Sequence, residues 1–267
     1  MKPSKNVVLC VLLLLAACDE PKSSAPVTAS TVAPAGSVPT APPVLPPPPP
    51  DPTKTLKKKL ASDCKPHPSV VDFDDDAPLE HEVRRKLGKD AGAITPADLA
   101  TIKSINLVNS QVHQLDPCIF PMFTSLKDLF LGNGEYDDLT PIQKLTTLES
   151  LRLSFSVVKD IHTLEGLKRL DRLDLSHTLV GDEDLKPLAS LVNLTELQLD
   201  EDSISDLTPI ANLKKLERLS IKKTEVKNLA PLASLRTLKF LYIADTPVAD
   251  ISPVQPRIAG GMKLIQK

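Results

Sequence analysis

Leucine and isoleucine recur along this chain in one spaced phrase, L-x-x-L-x-L. It opens at Leu126, Leu148, Leu170, Leu194, Leu216 and Leu238, with an earlier copy at Ile102, so successive copies lie 22 or 24 residues apart. A period of this size marks stacked supersecondary units, none of which can bury its apolar face alone. The last two apolar residues of each copy, such as Leu129 and Leu131 or Leu197 and Leu199, are spaced by two, as a strand with one buried face requires. Eight to ten residues later a second apolar phrase follows, such as Leu207-Thr208-Pro209-Ile210. Its third position is Pro117, Pro141, Pro187, Pro209, Pro231 and Pro253, with Thr163 the exception. A repeated proline cannot sit inside a paired strand but suits the first turn of a short helix, where its missing N–H is not needed. Just before it stand Gln114, Asp138, Asp160, Asp184, Asp206, Asn228 and Asp250, whose side chains can cap the free N–H groups of that turn. Each unit therefore reads as strand, turn, capped helical turn and return.

These copies resemble the leucine-rich repeat family, most closely the short-repeat type of bacterial internalins, over about Ile102 to Val254. The implied fold is an α/β repeat, a leucine-rich-repeat solenoid with a curved parallel sheet and short convex helical turns. The family usually places asparagine three residues after the last strand leucine, where its amide bonds backbone from coil to coil. Here that column is Ser110, Gly134, Ser156, Thr178, Asp202, Thr224 and Thr246. Hydroxyls can make similar bonds and Gly134 cannot, so the second repeat is expected to be the looser one.

Outside the repeats the pattern changes character. Lys2 and Lys5 precede an apolar run, Val7 to Leu15, too short to span a bilayer comfortably. It ends in Leu15-Ala16-Ala17-Cys18, which resembles the lipobox of bacterial lipoproteins. The resemblance implies a signal peptide over residues 1–17, cleavage before Cys18 and acyl chains on its sulfur and amine. Several chains anchor stably where one does not. The bland alternative is an ordinary secretory signal. Residues 18–54 are rich in Pro, Ala, Ser, Thr and Val and end in Pro46 to Pro50, a disordered tether that extends on the order of 100 Å at ~3.1 Å per residue. Residues 55–100 read as a small helical N-terminal cap. Asp76-Ala77-Pro78 starts a helix that places Leu79, Val83 and Leu87 on one face and stops at Gly88, and Thr95-Pro96-Ala97-Asp98 starts another. The stretch Leu79 to Leu107 also resembles the lead-in that precedes repeats in bacterial surface proteins. The repeats occupy 101–256, and Ile258, Met262, Leu264 and Ile265 in the tail, 257–267, either cover the last coil or leave an apolar edge.

With Cys10 lost in the signal and Cys18 lipidated, Cys64 and Cys118 remain. Cys118 aligns with Ile142, Leu164, Leu188, Ile210, Leu232 and Val254, so it is expected to point inward. In an exported chain this suggests a Cys64–Cys118 disulfide joining cap to solenoid. The alternative is a tetrahedral zinc set of Cys64, His67, His113 and Cys118. Asp72, Asp74, Asp75 and Asp76 lack the spacing and glycine of a calcium loop.

The net charge of −2 gives no basic excess for nucleic acid. Five scattered histidines, no G-x-S-x-G turn and no glycine-rich phosphate loop leave no catalytic constellation, and no cofactor is implied. The repeat register does predict an exposed sheet face. Its outward positions are Ser104, Asn106, Val108, Asp128, Phe130, Gly132, Ser150, Arg152, Ser154, Arg172, Asp174, Ser176, Glu196, Gln198, Asp200, Arg218, Ser220, Lys222, Phe240, Tyr242 and Ala244, with Phe155, His177, Glu201 and Lys223 beside them. Phe130, Phe155, Phe240 and Tyr242 account for half of the chain's eight aromatics. Exposed aromatics and arginines are typical anchors, so the concave face is expected to bind a protein through Phe130, Arg152, Phe155, Arg172, Asp174, Glu196, Arg218, Lys222, Phe240 and Tyr242. The expected whole is a membrane-anchored protein of the bacterial cell envelope, with its domain outside the cytoplasm. A passive envelope scaffold without a dedicated ligand is the alternative.

Overall fold

The computed structural model describes residues 58–65, 68–74 and 76–267. The signal segment, Cys18 and the Pro-rich tether lie outside the described residues, as do His67 and Asp75. The described residues fall in one compact unit, Thr55–Lys267.

Eight parallel strands form one sheet in sequence order: β1 (Ser104–Leu107), β2 (Asp128–Leu131), β3 (Ser150–Arg152), β4 (Arg172–Asp174), β5 (Glu196–Gln198), β6 (Arg218–Ser220), β7 (Phe240–Tyr242) and β8 (Lys263–Ile265). The register is the one the leucine phrase predicts: Ile105, Leu129, Leu151, Leu173, Leu197, Leu219 and Leu241 stand side by side. They project into a single apolar core with the other leucines of the phrase and the second apolar phrase from the turns. Seven 3-10 turns cross the far side, at Phe120–Met122, Thr140–Ile142, His162–Gly166, Asp182–Ser190, Thr208–Ile210, Ala230–Ser234 and Ser252–Val254. The acidic column caps them as expected. Asp138, Asp160, Asp206, Asn228 and Asp250 each accept the N–H of the residue two places on, at 2.8–2.9 Å.

Two repeats depart from the expected register. In the first, the cap is Asp116 rather than Gln114: its Oδ1 accepts the Cys118 amide at 2.7 Å. Phe120 then takes the inward place of Ile142, and Cys118 is only half-buried at the surface. The inward position expected for Cys118 is thus wrong, although its bond to Cys64 forms, with Cα atoms 5.2 Å apart. The two sulfurs bond to each other, so they do not serve as zinc thiolates. Gln114 instead clasps the incoming segment, accepting from the Lys59 amide at 2.9 Å and donating to its carbonyl at 2.6 Å. In the fourth repeat the two additional residues let Asp182 reach the next coil, where its carboxylate accepts Ser205 N, Ser205 Oγ and Asp206 N at 2.7–2.9 Å. Asp184 bonds back to the Gly181 amide at 3.0 Å.

The second repeat is not loose. A Cβ on Gly134 would lie 1.9 Å from the Val112 carbonyl oxygen, so only glycine permits this approach between coils. Tyr136, buried to 1% exposure, fills the volume beside it. Gly132 is also buried rather than outward, and a Cβ there would lie 2.4–2.7 Å from the carbonyl oxygens of Ser110, Leu107 and Val108.

Both ends of the solenoid are closed over by the flanking segments. Helix α1 (Ala77–Leu87) starts on Asp76, which accepts the Leu79 amide, and ends at Gly88 in the left-handed region. Helix α2 (Pro96–Thr101) starts on Thr95, with Asp98 completing a capping box. Leu79, Val83 and Leu99 are fully buried against the first coil. From α1 the buried Glu82 accepts the Asn106 amide of edge strand β1 at 3.0 Å, and Arg85 binds the same carboxylate at 2.7 Å. Burial opposes ionisation of Glu82, but these two bonds outweigh it and hold its carboxyl below the ordinary range. At the other end, α3 (Gln255–Ala259) returns the chain so that β8 pairs with β7, Leu264 beside Leu241, and Met262 is buried. The tail therefore adds an eighth strand where the leucine phrase has already lapsed.

Candidate binding face

Alternation along each strand leaves parallel rows on the solvent face of the sheet. One row is Ser104, Asp128, Ser150, Arg172, Glu196, Arg218, Phe240 and Lys263, and the next is Asn106, Phe130, Arg152, Asp174, Gln198, Ser220, Tyr242 and Ile265. The structure places most of the expected face residues on this side, except Gly132, which is buried, and Phe155, and it sets the strand aromatics towards the two ends of the sheet. Phe130 is half-buried in the N-terminal half of the face. Phe240 lies at the other end, under Arg218 at 5.2 Å and Lys263 at 5.7 Å, so the tail covers part of it. Tyr242 is half-buried beside Ile265. Phe155 stands off the face at the turn and is 48% exposed.

Most charges on the face are matched between neighbouring strands. Arg152 Nε lies 3.2 Å from Asp174 Oδ2, Arg218 Nη1 3.4 Å from Glu196 Oε2, and Lys222 Nζ 2.9 Å from Asp200 Oδ2. Such half-exposed pairs contribute little to stability, about 0–1 kcal/mol each, but they fix the side chains relative to one another. Serines that sequence reading placed as outward contacts are in fact buried beneath the long side chains. Ser154 Oγ accepts from Arg152 Nε at 2.7 Å and Ser150 Oγ from Arg172 Nε at 2.8 Å. Their orienting role leaves only a weak trace in the sequence, a serine next to an arginine on the same strand or the adjoining one.

Two hollows open on the face. The larger, about 630 Å³, is lined by Asn106, Phe130, Ser150, Arg152, Arg172, Asp174, Glu196 and Gln198 among others. The smaller, about 290 Å³, lies at the strand ends and includes Phe155, His177, Glu201 and Lys223. These four, with Asp245, adopt left-handed backbone with φ of 52–63°. Their side chains form a continuous row: Phe155 stacks on His177 at 4.3 Å, His177 Nε2 lies 3.3 Å from Glu201 Oε1, and Lys223 donates to the same oxygen at 2.7 Å. No glycine or asparagine marks these four places, and so their backbone was not legible in the sequence.

Solved structures share this arrangement. Internalin C2 of Listeria monocytogenes aligns over 72% of this chain and 93% of its own, with 26% identity and a TM-score of 0.57. The internalin inlF of the same organism aligns over 71% of this chain and 62% of its own, again at 26% identity, with a TM-score of 0.59. A leucine-rich-repeat protein of Leptospira interrogans aligns at 21% identity and a TM-score of 0.50, over 62% of this chain and 49% of its own. The fold is an internalin-like leucine-rich-repeat solenoid. No protein-family model matches the sequence, and no curated protein is similar to it.

Within this internalin-like solenoid the most perturbed carboxyl belongs to Asp202, in the column where the family carries asparagine. It is 3% exposed, and its Oδ1 accepts both the amide and the hydroxyl of Thr178 at 2.8 and 3.0 Å. Burial, reinforced by Asp174 and Asp200, pushes it up to about 7, against the pull of the Thr178 bonds. Its surroundings are those of a coil-to-coil tie, away from any hollow. Among the described residues no group of three His, Cys, Asp or Glu is arranged to hold a metal.

Proposed function

We propose that this chain is a lipid-anchored protein of the bacterial envelope that binds another protein through the solvent face of its sheet. The observation carrying the reading is the larger hollow, where Phe130 and two oriented arginines, Arg152 and Arg172, share one concavity. Aromatic and arginine side chains held in place are the usual anchors of protein interfaces. Anchoring through Cys18 is supported by the lipobox-like sequence and the Pro-rich tether. The passive spacer is the second reading, favoured by the internal pairing of most other charges on the face.

The test is a crosslinking capture from native envelopes with the Thr55–Lys267 unit and two folded variants, Phe130→Ala/Arg172→Ala and the convex-side Lys186→Ala. A partner held by the parent and the convex variant but lost by the face variant is the expected result. Equal capture by all three moves the site off the sheet. Capture by none favours the spacer.

A further inference from the structure

Within the larger hollow the two arginines differ in one respect. Arg152 is matched by Asp174, and Glu196 by Arg218. Among the described residues no carboxylate lies within ion-pair distance of Arg172. Glu149 feels its charge but is held by Lys127 at 2.7 Å. The Arg172 Nε is occupied by the buried Ser150 hydroxyl, and among the described residues its two Nη groups make no hydrogen bond. The guanidinium is thus tethered along one edge and leaves its end-on fork to a ligand. That fork fits the two oxygens of a carboxylate, and its fixed plane removes much of the ordering cost of binding.

We infer that Arg172 is the anchor for a carboxylate on a protein partner, and that Phe130 takes an apolar side chain of the same segment. This rests on the protein-binding reading above and names the chemistry of its ligand. The charge count favours a carboxylate over a phosphate dianion, since the hollow's two arginines face two carboxylates and Arg172 is left without an ion-pair partner only because Arg218, outside the lining, holds Glu196. Spacing adds a second constraint. Phe130 is on β2 and Arg172 on β4, two strand spacings apart and two residues out of register, which is about 12 Å on the diagonal. An extended peptide rises roughly 3.3 Å per residue, so the Asp or Glu should stand three or four residues from the apolar residue.

The experiment pans a random linear peptide library on the full-length chain in detergent. Binding of the enriched peptides is then measured on the parent and on Arg172→Gln, Arg172→Lys, Ser150→Ala and Phe130→Ala, each checked for an unchanged melting curve. The expected peptides carry Asp or Glu three or four residues from an apolar residue. Arg172→Gln should weaken them on the order of tenfold, and Arg172→Lys should not restore them, because an ammonium has no fork. Ser150→Ala should lose part of the affinity by freeing the guanidinium. Enriched peptides without a carboxylate, or peptides weakened by Phe130→Ala and unaffected by Arg172→Gln, would overturn the anchor while leaving the binding face standing. Displacement by inorganic phosphate at concentrations where acetate has no effect would reassign the site to a dianion. Absence of any peptide sensitive to either residue would overturn both the anchor and the face.

Discussion

Asp202 shows how one side chain can make this solenoid sensitive to pH. Its carboxyl titrates near 7 in the fold, against an ordinary 3.8. Below pH 3.8 folded and unfolded chains both hold the proton, so the site carries no penalty. Between there and pH 7 the unfolded chain ionises first, and stability falls as pH rises, by up to about 4 kcal/mol at ~1.4 kcal/mol per unit. Asp202→Asn keeps an oxygen for Thr178 and removes the titration. Its melting temperature should exceed the parent's clearly at pH 8 and match it near pH 4. Gly134 gives the opposite kind of prediction. Gly134→Ala drives a methyl into the Val112 carbonyl and should cost about 1–3 kcal/mol, read as a lower denaturation midpoint. Sequence reading placed both residues in one column and misjudged Gly134. A missing bond is visible in a residue name, whereas close approach of two backbones, and the tyrosine that fills the space, appear only in three dimensions.

The strands were the most legible elements, because their leucines repeat a pattern that one buried face enforces. Leu173→Ala and Leu197→Ala should each cost about 2–5 kcal/mol in chemical denaturation, since both side chains are essentially fully buried. Where two residues are added to a repeat, the sequence counts them without locating them. In the first repeat they fall before the capping turn, which shifts Cys118 to the surface and gives the cap to Asp116. Strand β8 escaped notice for a related reason: Gly261 and Gln266 stand where the phrase needs its outer leucines, and only Leu264 keeps its place. The charged face was legible as a list of outward positions. The cross-strand matching that isolates Arg172 was not, because it depends on which rotamers neighbouring strands allow.

The described residues form a solenoid with both ends covered, and the proposed reading adds a lipid-anchored tether ahead of it. If Cys18 carries lipid, Cys18→Ala should move the chain from the membrane to the soluble fraction on envelope fractionation, with the domain's melting curve unchanged. The row of left-handed residues from Phe155 to Asp245 has a different consequence. An L-residue pays roughly 1–2 kcal/mol for that backbone, and glycine's greater freedom in the unfolded chain takes back about half. Lys223→Gly should therefore raise stability by several tenths of a kcal/mol to about 1, measured by denaturant midpoint. A protein engineer seeking a hardier scaffold would begin with this row, and each glycine installed would erase one displayed side chain from the rim of the sheet.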